Sequence, residues 1–204
     1  MKPIEEVTLL YEITNALNEH LDLRKSLYKV LDILSSSLNM VQGTITILNP
    51  LRNEINIEVA HGLTQSTMNR VKYKLGEGIT GKVIETGKAV SIPKISEEPL
   101  FLDRTATRKK KQGKERSFFC VPVKKGKQVI GALSADRPFD KAYSLKSGEK
   151  LLSVIAAMIA SHVIKLETIR LEKERLREEN RRLQNVLRDK YSISNIVGNS
   201  NKMR

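Results

Sequence analysis

The chain has 204 residues, 40% of them apolar with no Trp, so its core is built from aliphatic side chains. A single cysteine excludes a disulfide framework and a cysteine-rich zinc site. The formal charge of +13 raises nucleic acid, an anionic membrane or an anionic ligand as partners, but seven basic residues against one acidic fall in residues 104–116, RTATRKKKQGKER, and thirteen against seven in residues 144–204, leaving the rest nearly neutral.

Residues 4–19 are predicted as an amphipathic helix, with Ile4, Val7, Leu10, Tyr11, Thr14 and Leu17 at three- and four-residue spacing. Asp22 then suits the N-cap of a second helix that carries Leu27, Val30, Leu31, Leu34 and Leu38 on one face, with Asn39 as its stop. The period changes to two at Gly43. Ile45 and Ile47 alternate with Thr44 and Thr46, and Ile55, Ile57 and Val59 alternate with Asn56, Glu58 and Ala60. The intervening Asn49-Pro50-Leu51-Arg52-Asn53 is a turn, which makes a hairpin.

A short strand is expected within Val71–Leu75, a short helix over residues 79–86, and another short strand at Val90 and Ile92. Ser117–Val123 and Gln128–Ser134 read as two apolar strands joined by the turn Lys124-Lys125-Gly126-Lys127. From about Ser144 to Lys190 nothing but Gly148 interrupts a helix of about 45 residues, roughly 68 Å.

A heptad frame fits that helix. Leu152, Ile159, Leu166, Lys173, Asn180 and Leu187 take the a positions, and Ile155, His162, Ile169, Leu176 and Leu183 the d positions. Its first half has further apolar residues, as a helix packed on a domain does. Its second half is read as apolar only along the seam, the pattern of a coiled coil, with Asn180 as a register device and Glu172 placed to meet Arg177 of a parallel partner, the alternative being a solvated single helix with i,i+4 Glu–Arg pairs. The expected dimer interface is Leu166, Ile169, Lys173, Leu176, Asn180, Leu183 and Leu187.

Chemistry-bearing motifs are few. GEGITGKV, residues 76–83, satisfies G-x-G-x-x-G and G-x-x-x-x-G-K, but Val83 stands where a phosphate loop needs Ser or Thr, and no parallel βαβ unit surrounds it. The glycines are better explained by a tight entry into a short helix. Cys120 lies in an apolar strand and reads as a small buried hydrophobe. His20, His61 and His162 have no metal-ligand spacing, and no catalytic constellation is visible, so neither a metal nor an enzyme is expected. The basic loop has three open readings: a grip on nucleic acid, a solvated flap, or a lid or partner surface for an anionic group, with Phe101-Leu102 as its anchor.

No apolar run approaches the ~18 residues of a membrane span, and MKPIEEVTLL lacks a basic region ahead of an apolar stretch. A cytoplasmic protein with no membrane partner is therefore expected.

The order helix, helix, hairpin, GEGITGKVIETGKAVSIPKI, loop, SFFCVPVKKGKQVIGALSADRP, long helix resembles a GAF domain over residues 4–165. The segments GEGITG, VIETGKAV and EPLFLDR look like the N-terminal GAF domain of NifA-type regulators, and residues 195–203, NIVGNSNKM, resemble the opening of the AAA+ domain of sigma-54-dependent activators. The resemblance implies an α+β fold, a central antiparallel sheet with helices on one face, followed by a long coiled-coil helix. It divides the chain into a GAF sensory domain at 1–164, a linker helix at 165–191 and the start of a truncated ATPase domain at 192–204.

It further implies a regulatory sensor for nitrogen fixation or nitrogen regulation, controlling ATPase assembly through a dimeric helix. The alternative is a GAF module of another signalling protein, such as a histidine kinase or phosphodiesterase. No cofactor is expected in this chain. ATP and Mg²⁺, DNA, and sigma-54 RNA polymerase belong to domains beyond it. The GAF domain itself would meet a small anionic metabolite or a regulatory protein. The candidate ligand-binding residues are Thr44, Thr46, His61, Phe101, Arg104, Cys120 and Ser134, with Arg104 as the natural anchor for a dicarboxylate.

Overall fold

A computed structural model describes residues 3–49, 52–102 and 115–190. Helices α1 (Pro3–Glu19) and α2 (Leu23–Leu38) lead into strands β1 (Gln42–Asn49) and β2 (Glu54–His61). A short helix α3 (Gln65–Arg70), strand β3 (Lys72–Lys74), helix α4 (Gly78–Thr86), strand β4 (Val90–Ile92) and a 3₁₀ turn (Ile95–Glu97) follow. Strands β5 (Arg116–Lys125) and β6 (Gln128–Pro138) then form a hairpin, and α5 runs from Leu145 to Lys190. The six strands form one sheet in the order β3-β2-β1-β6-β5-β4, with every neighbouring pair antiparallel.

The local signals act where the sequence places them. The Asp22 carboxylate accepts from the Lys25 amide at 2.9 Å and caps α2. Asn39 ends α2 in the left-handed region at φ 52°. Leu27, Val30, Leu31 and Leu34 are fully buried beneath α1 and the sheet.

Helix α1 differs from the predicted face. It buries Leu9, Ile13, Ala16 and Leu17, whereas Ile4, Val7 and Tyr11 are 80%, 68% and 66% exposed. Leu10 is half-buried, and only Leu17 is common to both stripes. Apolar side chains on two sides of one helix leave periodicity undecided, and packing against α2 selects the Leu9–Ile13 side.

The sheet is covered on both faces. Phe119, Val121 and Val123 of β5 and Leu133 and Ala135 of β6 pack with α1, α2 and α5, while Phe118, Cys120 and Ala132 pack under α4 with Ile79, Val83 and Ile84. A strand buried on both sides reads as a continuous apolar run, which is why SFFCVPV shows no alternation. In β2 the expected alternation breaks. The register steps from Ile45↔Val59 to Thr46↔Ile57, so Glu58 is the extra residue of a bulge. Val59 thereby turns toward the helices while Ile55 stays on the α4 side.

Two compact units divide at residue 164, Met1–Ile164 and Lys165–Arg204. In the first, α5 buries Leu151, Leu152, Ile155, Ala156, Ile159 and Ala160 against the sheet. Part of α5 is long and apolar enough to cross a membrane by length and composition, but these side chains are already enclosed by protein, the pattern of a core helix.

In the second unit the helix is exposed throughout Lys173–Arg188. Along this helix Glu172 pairs with Arg175 at 2.8 Å and Arg170 with Glu174 at 3.9 Å, both within the helix itself. Residues 192–204, expected to open a further domain, lie outside the described residues.

Candidate ligand-binding site

On the α4 side of the sheet, β1, β5 and β6 and the first turn of α4 line a small cup. Thr44 and Ser134 stand opposite one another in the β1–β6 register and share a 2.6 Å hydrogen bond at its base. Gln42, two residues before Thr44 on the same face, is also buried there. Phe118 forms a wall, and Phe101 meets it edge-on at 5.0 Å between ring centroids. Leu102 closes over Gly78, where a Cβ would come within 3.0 Å of it.

The enclosed space is about 30 Å³. That is room for water and not for a metabolite.

The cup is polar without being charged among the described residues. Its donors are hydroxyls, the Gln42 amide and the first turn of α4, whose N-cap residue Glu77 makes no side-chain cap. The Glu77 carboxylate accepts instead from the Lys74 amide at 2.9 Å. Helix first-turn amides favour an acceptor or an anion. Two residues beyond Ser134 on the same face, buried Asp136 meets Arg116 at 3.7 Å. Arg116 is thus tied to the sheet, and the Glu115 carboxylate bonds Ser96, which holds its pKa below the usual carboxylate value.

Of the predicted site residues, Thr44, Phe101 and Ser134 come together in the cup. Thr46 is buried one step along β1, its hydroxyl donating to the Ala132 carbonyl at 3.2 Å. His61 ends β2 beside α2, where Nε2 lies 2.9 Å from the Ser35 hydroxyl, away from the cup. Cys120 is fully buried between the sheet and α4, and burial pushes its thiol up to about 12. Arg104 lies outside the described residues. Gln42, Tyr73 and Thr80 line the cup and were not anticipated.

The glycine motif closes on itself. The Gly76 amide donates to the Gly81 carbonyl at 3.1 Å and the Gly81 amide to the Glu77 carbonyl at 3.0 Å. A Cβ on Gly81 would meet the Lys74 carbonyl oxygen at 2.5 Å, and the Glu85 carboxylate lies beside Gly76. These amides are spent on the turn, and two acidic side chains flank it, so the motif is an entry into α4 and not a phosphate cradle. Among the described residues no His, Cys, Asp and Glu cluster has metal-binding geometry.

The profile of the GAF domain matches residues 7–163. The chain belongs to the GAF domain family. Its sequence is 38% identical over 202 residues to the nitrogen fixation protein AnfA of Azotobacter vinelandii, covering 98% of this chain and 38% of that one. It is 35% identical over 196 residues to VnfA of the same organism, covering 96% and 38%. It is 32% identical over 200 residues to a Nif-specific regulatory protein of Herbaspirillum seropedicae, covering 98% and 37%.

The chain therefore spans less than two-fifths of the length of these relatives. The nlh2 GAF domain of A. aeolicus, solved in an inactive state, superposes with a TM-score of 0.71 at 28% identity, covering 80% of this chain and 98% of that one. A free methionine-R-sulfoxide reductase of Neisseria meningitidis superposes at 0.68 with 14% identity, covering 80% and 91%, a likeness of fold alone. As a GAF domain the chain is a regulatory module, and its one thiol is shut inside the core.

Proposed function

We propose that this chain is the sensor module of a Nif-type, sigma-54-dependent transcriptional activator, and that it signals through α5. The observation that carries this is the reach of the likeness to AnfA. It runs over 202 residues, beyond the GAF profile's end at residue 163, through the linker helix and into the tail. A GAF module borrowed from a histidine kinase or phosphodiesterase would share the domain but neither the linker helix nor the tail.

The signal enters at the cup. A small anionic metabolite, or a regulatory protein acting on the Phe101–Leu102 segment, changes the packing of the α4 face. Arg104 is the proposed anchor for a carboxylate, because the described lining of the cup is uncharged. No cofactor is required in this chain, whereas ATP, Mg²⁺, DNA and the polymerase meet the remainder of the protein, in the cytoplasm.

The output is a parallel homodimer through residues 166–187. In the single chain Ile169, Leu176, Leu183 and Leu187 are 42–57% exposed, and burying such a side chain stabilises by about 1.5–3 kcal/mol. Lys173 and Asn180 interrupt the seam and leave it weak enough to change register or angle.

The family reading is tested by the coding sequence beyond residue 204 in the parent gene. A G-x-x-x-x-G-K-[ST] motif in the next stretch is expected. A kinase or phosphodiesterase domain there contradicts the proposal. The sensor reading is tested in the full-length protein, where removing residues 1–164 must change sigma-54-dependent transcription, and unchanged transcription contradicts it.

A further inference from the structure

A second cleft lies on the opposite side of the sheet from the cup, where the ends of α1, α2, β6 and α5 meet. It holds about 470 Å³, within the roughly 300–1,000 Å³ common for small-molecule sites, and is far roomier than the cup.

Its walls carry opposite charge. On one side Arg137, which follows Leu133 and Ala135 on the helix face of β6, lays its guanidinium 3.3 Å from the centre of the Tyr143 ring. Its Nε and Nη1 are covered and face no hydrogen-bond acceptor, and among the described residues no carboxylate pairs with it. Arg116 on the adjacent strand, by contrast, has Asp136. A covered N–H without an acceptor costs about 1–3 kcal/mol, more for a charged group, and calls for water or a ligand. Beside Arg137, the Ser144 hydroxyl accepts from the Ser147 amide at 3.3 Å and lies 3.1 Å from the Ser147 hydroxyl at the start of α5. The other side carries Glu5 and Glu6 in the first turn of α1.

Glu5 and Glu6 repel a polyanion, and Arg137 repels a simple cation. A molecule bearing one carboxylate and one ammonium satisfies both walls. We infer that this cleft is a second ligand site, independent of the cup, and that it takes a zwitterionic α-amino acid. The carboxylate binds Arg137 and the Ser144–Ser147 hydroxyls, and the ammonium faces Glu5 and Glu6. Tyr143 covers one face of the guanidinium, so the carboxylate enters along its edge and the turn through Tyr143 yields to admit it. Occupancy joins the first turn of α1 to the first turn of α5, so the ligand acts directly on the output helix.

The test is isothermal titration of the 204-residue chain with each standard amino acid, with acetate as carboxylate alone and methylammonium as cation alone. At least one amino acid binds with a sub-millimolar Kd, and acetate and methylammonium bind at least about tenfold more weakly. Arg137→Gln and the pair Glu5→Gln/Glu6→Gln each weaken the amino acid by about tenfold or more, and Arg137→Lys less so. Should Arg137→Gln unfold, the Glu5/Glu6 pair in the first turn of α1 carries the test. No amino-acid binding up to about 10 mM, or binding that survives both the Arg137 and the Glu5/Glu6 changes, overturns the site. Acetate binding as tightly as the amino acid overturns its zwitterion specificity.

Discussion

Thr44 on β1 and Ser134 on β6 share a 2.6 Å hydrogen bond across the middle of the sheet, both side chains nearly closed off from water. Each hydroxyl is the other's partner, so removing one leaves the second stranded beneath α4. Thr44→Val alone is expected to cost about 1–2 kcal/mol. The double variant Thr44→Val/Ser134→Ala costs less than the sum of the two single changes. Urea denaturation of the four proteins measures the coupling. Strict additivity would mean that the bond contributes nothing.

Gly131 lies where β6 crosses β1. A Cβ there would stand 2.1 Å from the Thr46 carbonyl oxygen, which is backbone and cannot swing away. Gly131→Ala is therefore expected to destabilise by about 3 kcal/mol, the upper end for overpacking. Gly126, in the β5–β6 turn at φ +61°, has open space around it. Gly126→Ala costs only the left-handed conformation, about 1–2 kcal/mol. Thermal unfolding separates the two, and equal losses would contradict the steric argument.

Much of this fold was legible because its signals are local. Asp22 and Asn39 bracket α2 by capping and αL tolerance, and Gly126 turns the β5–β6 hairpin. The misreadings are tertiary. The buried side of α1 depends on what α2 presents to it, and the facing of Val59 depends on a bulge at Glu58 that no alternation reveals. Helix α3 was not foreseen, since QSTMNR, five polar residues around a lone Met68, carries no apolar period and relies on the Thr64 cap.

In the cup, strand parity brought Thr44 and Ser134 together, as register does. Gln42 has the same parity two residues earlier and shares that face. Thr80 sits inside the glycine motif, which reads as a tight entry into a helix and carries no signal for cup lining. His61 and Thr46 lie outside the cup, where their side chains meet the Ser35 hydroxyl and the Ala132 carbonyl.

Cys120 provides a pH test. Burial raises its thiol from 9.0 in the unfolded chain to about 12 in the fold. The folded state therefore keeps its proton where the unfolded state loses it. The stabilisation is complete below pH 9 and is lost as pH rises toward about 12. Native protein at pH 8 should react with a thiol reagent only at the rate of transient opening, and denaturant should release full reactivity. Rapid stoichiometric labelling of the native chain would contradict the burial of this residue.

The seam of α5 carries a prediction of its own. In the proposed seam Asn180 takes an a position amid Leu176, Leu183 and Leu187, three leucines that are exposed in the single chain. Asn180→Leu should tighten self-association by about tenfold or more while relaxing register and orientation. A cysteine introduced by Leu176→Cys, in a Cys120→Ala background, should cross-link between partners under mild oxidation in the native seam, and less uniformly with Asn180→Leu. An unchanged dimer constant would remove Asn180 from the interface.

If the sensor's output leaves through a dimeric helix, the 204-residue chain must self-associate, and sedimentation equilibrium at tens of micromolar reads this without a reporter. A reversible species of twice the chain mass is expected, returning to monomer when Leu176 and Leu183 are changed to Glu. A native chain that remains monomeric under those conditions would contradict the dimeric output.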